Sequence, residues 1–118
     1  MIGIIDYGVG NLFSLKSSFD AIGEEVFVSG DKEELSKATG LILPGVGAFA
    51  DAAQKLRDSG LDEFVRKVAS EGKPLMGICL GMQMLFEKSY EYGEHEGLGL
   101  LKGQVVPMQG SIPEELKI

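Results

Sequence analysis

The sequence predicts an α/β domain built on a doubly wound, mostly parallel sheet flanked by helices. Two observations carry that prediction. Short, nearly continuous apolar runs of strand length, such as Ile2 to Tyr7 and Gly40 to Leu43, alternate with longer segments whose apolar residues recur every three or four positions. The runs also tend to stop at glycine- or proline-bearing turns, as at Gly8-Val9-Gly10-Asn11 and Pro44-Gly45-Val46-Gly47, and in such folds ligands bind beyond the carboxyl ends of the strands.

In order along the chain, Ile2 to Tyr7 reads as a strand buried on both faces. Leu12, Leu15, Phe19 and Ile22 then trace a helix that Gly23 closes. Glu25 to Val28 forms a second strand, and Asp31 caps a helix running to about Ala38. Gly40 to Leu43 is a third strand, stopped by Pro44. From Phe49 to Glu71 the helical spacing predicts two helices broken at Ser59-Gly60, and Gly72-Lys73-Pro74 turns into the strand Leu75 to Ile78. Leu80 to Lys88 reads as a helix, residues 89 to 99 as a polar loop, and Gln104 to Val106 as a last strand. Ser111 to Ile118 reads as the approach to another element.

The chain has 118 residues, long enough for a single domain to fold without disulfides or metals, and its one cysteine excludes an internal disulfide. Eighteen acidic against eleven basic residues give a net charge of −7, and no basic patch offers counterion release to a nucleic acid. No apolar run approaches the roughly 20 residues that span a bilayer. Nothing near Met1 reads as a secretory signal, so a cytoplasmic protein is expected. One cysteine and one histidine make no metal cluster, and no cofactor is expected.

Cys79 stands in Gly77-Ile78-Cys79-Leu80-Gly81, the G-x-[SC]-x-G spacing of a nucleophile elbow. In such a turn a sharp strand-to-helix reversal exposes the reactive atom, and only glycine fits two residues to either side. A helix starting at Leu80 would aim its positive end at the sulfur and favour the thiolate, which is the attacking species. Gln83, one turn on, would share the thiol's side of that helix and bind a polar substrate group, with Glu87 next in line. The alternative is a small sulfur packed inertly at the end of a core strand.

An attacking thiolate also needs donors for the oxyanion, each worth about 3 to 4 kcal/mol of barrier. The loop Pro44-Gly45-Val46-Gly47 at the same rim, together with the N–H of Leu80, offers candidates. Gly45 to Ala50 formally matches a dinucleotide fingerprint but lacks the acidic residue at the end of the next strand. Gly8-Val9-Gly10 lacks the third glycine and any Gly-Lys-[Ser/Thr], which leaves a structural or interface role. His95, the sole histidine, lies in a polar loop between glutamates, where a solvated imidazole is the default.

Four segments occur in one order: Asp6-Tyr7-Gly8-Val9-Gly10-Asn11, Leu43-Pro44-Gly45-Val46-Gly47-Ala48-Phe49, Gly77-Ile78-Cys79-Leu80-Gly81-Met82-Gln83-Met84-Leu85-Phe86 and Glu96-Gly97-Leu98-Gly99-Leu100. Together they resemble the glutaminase subunits of imidazole glycerol phosphate synthase, a branch of the class I (triad) glutamine amidotransferases. The resemblance implies flavodoxin-like layering, with this chain as the N-terminal part of the domain. It further implies that Cys79 attacks the side-chain amide of glutamine, with Val46 and Leu80 as oxyanion donors and Gly47, Gln83 and Glu91 as substrate-binding residues. Gly10 and Asn11 would lie near the cyclase subunit, the partner that receives the ammonia.

The histidine and glutamate of the family's triad lie in a final third that has no counterpart among these residues. The resemblance therefore implies at most trace activity for the 118 residues alone, and an uncovered sheet edge that invites self-association. A non-catalytic module docking on the cyclase or on itself, and a related cysteine hydrolase using His95 as its base, remain the alternatives.

Overall fold

The computed structural model describes residues 1–108. Four strands, β1 (Ile2–Ile5), β2 (Val26–Ser29), β3 (Gly40–Leu43) and β4 (Leu75–Gly77), form an all-parallel sheet in the order β2-β1-β3-β4. The register pairs Ile4 with both Val28 and Ile42, and Leu43 with Gly77.

Alternation along the strands explains the layering. Ile4, Val26 and Ile42 face helix α1 (Leu12–Ala21) and pack against its Leu12, Leu15 and Phe19. Ile5, Leu41 and Leu43 face the opposite way into the larger core. There they meet Leu35 of α2 (Lys32–Ser36), Phe49, Ala52, Ala53 and Leu56 of α3 (Phe49–Asp58), and Leu61, Val65 and Val68 of α4 (Leu61–Ser70). Helices thus cover both faces, as the sequence predicts. Local signals hold as well: Asn11 and Asp31 cap α1 and α2 by accepting from Ser14 N–H at 3.2 Å and Glu33 N–H at 3.0 Å. Gly60, with φ 73°, separates α3 from α4.

The segment after Cys79 departs from expectation. The predicted helix from Leu80 to Lys88 is a single turn, α5 (Leu80–Gln83), and Phe86–Ser89 is a strand, β5. The expected loop at 89–99 contains a short strand, β6 (His95–Glu96), and the last strand, β7, spans Leu101–Val105 rather than 104–106. These make a second sheet, β6-β5-β7, with β5 antiparallel to β6 and parallel to β7.

The physical reason lies in the carbonyls. Met84 O accepts from Leu98 N–H at 2.7 Å, Leu85 O from Leu100 and Leu101 N–H at 2.9 Å, and Glu87 O from Gly97 N–H at 2.9 Å. The acceptors that a longer helix would have offered four residues ahead are taken by residues 97–101. Tertiary pairing overrides local propensity. The expectation for Ser111 to Ile118 lies outside the described residues.

Candidate active site

Ile78 N–H donates to Leu43 O at 3.0 Å, extending the β3–β4 ladder up to the turn that carries Cys79. There the backbone reverses sharply: Cys79 has φ 55° and ψ −124°, a conformation that costs a non-glycine residue about 1 to 3 kcal/mol. The thiol is exposed and α5 follows directly. The strain sits on the one residue whose side chain must stand clear of the sheet.

The flanking glycines are explained by crowding. A Cβ on Gly77 would lie 2.6 Å from Met82 Cα, and one on Gly81 would run into the carbonyl oxygen of Leu43. The elbow is therefore pressed against the end of β3, where the Pro44–Ala48 loop begins. Gly45 completes the fit, since a Cβ there would stand 2.8 Å from Gly81 N. Because α5 is one turn long, the dipole expected behind the sulfur is that of a single turn, not of a long helix.

Leu80 is the first residue of α5, a position whose N–H has no acceptor within the helix. Val46 and Gly47 are exposed in the adjoining loop, and Gly47 takes φ 86° with open space around its Cα. Cys79, Leu80, Val46 and Gly47 thus occupy two touching loops at one rim.

Gln83 ends α5, and with it begins a concavity of ≈ 580 Å³ shared with Tyr90, Glu91, Tyr92, Val105, Val106 and Pro107. Its size falls within the roughly 300 to 1,000 Å³ of small-molecule sites. Glu91 is its one charged lining residue, so the concavity suits a cationic group. The structure thereby brings together Gln83 and Glu91, which lie eight positions apart in the sequence, whereas Cys79, Leu80, Val46 and Gly47 are not among the residues that line this concavity.

Glu91 Oε1 also accepts from Phe49 N–H at 3.0 Å, and Phe49 does not line the concavity. That bond caps α3 across 42 residues, because the N-cap position itself is Ala48, with no side-chain cap. Gly10, with φ 119°, packs close to Pro44: a Cβ there would stand 3.0 Å from the proline's own. Asn11 caps α1. His95 lies on β6, and its ring Nε2 is 3.1 Å from Tyr92 O. Sequence reasoning gave Tyr7 no role, yet its buried hydroxyl donates to Pro44 O at 2.5 Å; the apolar strand pattern around it carried no sign of that bond.

The CobB/CobQ-like glutamine amidotransferase domain matches residues 4–111. Among curated relatives, the imidazole glycerol phosphate synthase subunit HisH of Geobacillus thermodenitrificans is 56% identical over 110 residues, covering 93% of this chain and 52% of that protein. The subunit of the same name from Sulfurimonas denitrificans is 51% identical over 115 residues, covering 98% and 56%. A solved structure described as a glutamine amidotransferase superposes with a TM-score of 0.75 at 29% identity, covering 89% of this chain and 55% of the other. The chain spans about half the length of the curated relatives it matches.

Proposed function

Because the chain belongs to the CobB/CobQ-like glutamine amidotransferase domain family, we propose that it carries the nucleophile half of a glutaminase, the ammonia-releasing subunit of a cytoplasmic imidazole glycerol phosphate synthase in histidine biosynthesis. The observation that carries the reading is the strained turn at Cys79, locked by Gly77 and Gly81 against the loop that bears Val46. The names of the relatives support the choice of subunit and, with it, a cyclase partner. No helix among the described residues is long and apolar enough to cross a membrane.

In this reading glutamine spans from the concavity to the elbow beside it, with its α-ammonium at Glu91, its polar groups near Gln83 and Gly47, and its amide at Cys79. The Cys79 thiolate adds to the side-chain carbonyl, and the N–H groups of Val46 and Leu80 receive the oxyanion. Collapse of the tetrahedral adduct breaks the C–N bond, and ammonia departs once a proton reaches its nitrogen. Water then hydrolyses the thioester to glutamate. The ammonia passes to the cyclase, which docks near Gly10 and Asn11 of this chain.

The departing nitrogen needs a general acid, a contribution of about 10² to 10⁴ in rate. His95, the one histidine, has its ring nitrogen against Tyr92 O. These 118 residues by themselves therefore turn over glutamine at most at a trace rate. The test is glutamate and ammonia release by the chain, with and without the cyclase subunit, against Cys79→Ala. Release that survives Cys79→Ala sinks the proposal. Release that depends on Cys79 but is lost in His95→Ala supports a self-contained cysteine hydrolase instead.

A further inference from the structure

Among the described residues, the Pro44–Ala48 loop is pinned at both ends by side chains from elsewhere in the fold. At its far end Glu91 holds Phe49 N–H. At its near end the pin is Tyr7, from the turn after β1: the hydroxyl has one proton, which goes to Pro44 O at 2.5 Å, while Met84 Sδ stands 3.7 Å away. Burial pushes this phenol up to about 12, so the group remains a donor at any pH where a thiolate chemistry would run.

Pro44 O lies in the same peptide plane as Gly45 N, so the Tyr7 bond fixes that plane. Gly45 is closely surrounded: a Cβ there would meet Gly81 N at 2.8 Å, Leu80 Cβ at 3.0 Å and the Tyr7 hydroxyl at 3.1 Å. The very next peptide plane carries Val46 N–H. Beyond it Val46 and Gly47 are exposed, and a Cβ on Gly47 would meet nothing within 4 Å. The Val46 N–H thus follows the plane that Tyr7 holds by a single residue, Gly45.

We propose that Tyr7 is a positioning residue for the chemistry of Cys79, its hydroxyl orienting the Val46 N–H through the Pro44–Gly45 peptide. The inference rests on the reading of Cys79 as a glutaminase nucleophile. It separates two properties of the site: Tyr7 governs stabilisation of charge on the substrate's carbonyl oxygen, and it leaves the reactivity of the sulfur itself alone.

The experiment compares the full chain with Tyr7→Phe, using two reagents that modify Cys79. 6-Diazo-5-oxo-L-norleucine places a ketone where the glutamine amide would lie; its diazo carbon takes a proton, and the thiolate displaces N2 to leave a thioether. Iodoacetamide alkylates the sulfur with loss of iodide and asks nothing of an oxyanion site. Rates are read by intact mass, with thermal midpoints recorded in parallel. The expected result is an analogue rate about tenfold lower in Tyr7→Phe, part of the roughly 10² to 10³ that one donor supplies, and an iodoacetamide rate within about twofold of wild type. Met84→Leu, which changes packing beside the hydroxyl but leaves its bond to Pro44, should leave both rates unchanged.

Equal slowing by both reagents, no slowing by either, or a matching loss in Met84→Leu overturns the role of Tyr7 while leaving Cys79 as the nucleophile. A wild-type chain that reacts with iodoacetamide but not with the analogue overturns the glutaminase reading, and the proposal for Tyr7 with it.

Discussion

At the scale of single residues the site is governed by where a carbon atom would fit. The spacing of Gly77, Cys79 and Gly81 announced the elbow because steric exclusion in so sharp a turn acts on near neighbours in sequence, and sequence displays those directly. Tyr7 was opaque for the opposite reason, its partner Pro44 being 37 positions away. Two glycines allow crowding and strain to be weighed against each other. Gly81→Ala drives a methyl into the Leu43 carbonyl and should destabilise by more than about 3 kcal/mol, with loss of analogue labelling at Cys79. Gly47→Ala meets open space and bears only the left-handed backbone, about 1 to 2 kcal/mol. Urea unfolding of the two variants should rank them in that order, and equal costs would show that crowding at Gly81 relaxes away. Tyr7 adds a pH dependence. Its phenol ionises near 10.0 when solvated and at about 12 in the fold, so the unfolded chain loses the proton first. The associated stability is complete below pH 10 and drains away between there and 12, up to about 3 kcal/mol. Wild type should lose more stability than Tyr7→Phe between about pH 9 and about pH 11 in urea titrations, and parallel curves would deny the phenol its shift.

At the scale of elements, what was legible was whatever the local pattern and the tertiary structure agree on. Helices α3 and α4 bury the faces that their three- and four-residue spacing displays, while α1 half-buries Leu12, Leu15 and Phe19 and leaves Ile22, expected on the same face, exposed just past its end; Asn11, Asp31 and Gly60 mark the starts of α1, α2 and α4. The helix expected after Cys79 failed because its carbonyls from Met84 onward serve residues 97–101, and no window short enough to read as local contains both partners. The same is true of the cap on α3. Ala48 offers it no side chain, and the acceptor arrives from Glu91, a residue singled out for binding substrate. Glu91→Ala should cost about 1 kcal/mol, the usual loss of a cap, whereas Glu91→Gln keeps an oxygen for Phe49 N–H and should cost less. If Glu91 also receives the ammonium of glutamine, the two variants should be alike in a second respect, both labelling slowly with the glutamine analogue. Chemical denaturation and labelling rates measured on the same pair separate the cap from the charge.

At the scale of the whole molecule, the parallel sheet was readable because its strands are apolar on both faces: Ile4 and Ile5 point opposite ways and both are fully buried. Placement of the candidate site followed, since the elbow and the Pro44–Ala48 loop both leave the carboxyl ends of adjacent strands. How evenly the two faces are covered was not readable, because amphipathic spacing tells that a helix packs but not how far it reaches. On the α1 side the cover stops short of β4. A concavity of ≈ 260 Å³ opens there over Ile2, Phe19, Leu41, Ile42, Leu75 and Met76, with Met76 58% exposed. Among the described residues β4 is also an edge of the sheet. An exposed edge beside an apolar face is a template for pairing with another chain, and the net charge of −7 opposes that pairing only until salt screens it. The 118-residue chain should therefore self-associate as its concentration rises, more strongly at about 0.5 M salt than at about 0.05 M. Met76→Lys, which sets a charge on the exposed strand, should shift the light-scattering mass back towards that of a single chain. A mass that is unchanged by concentration, salt and the lysine would mean that α1 covers this face well enough to protect it.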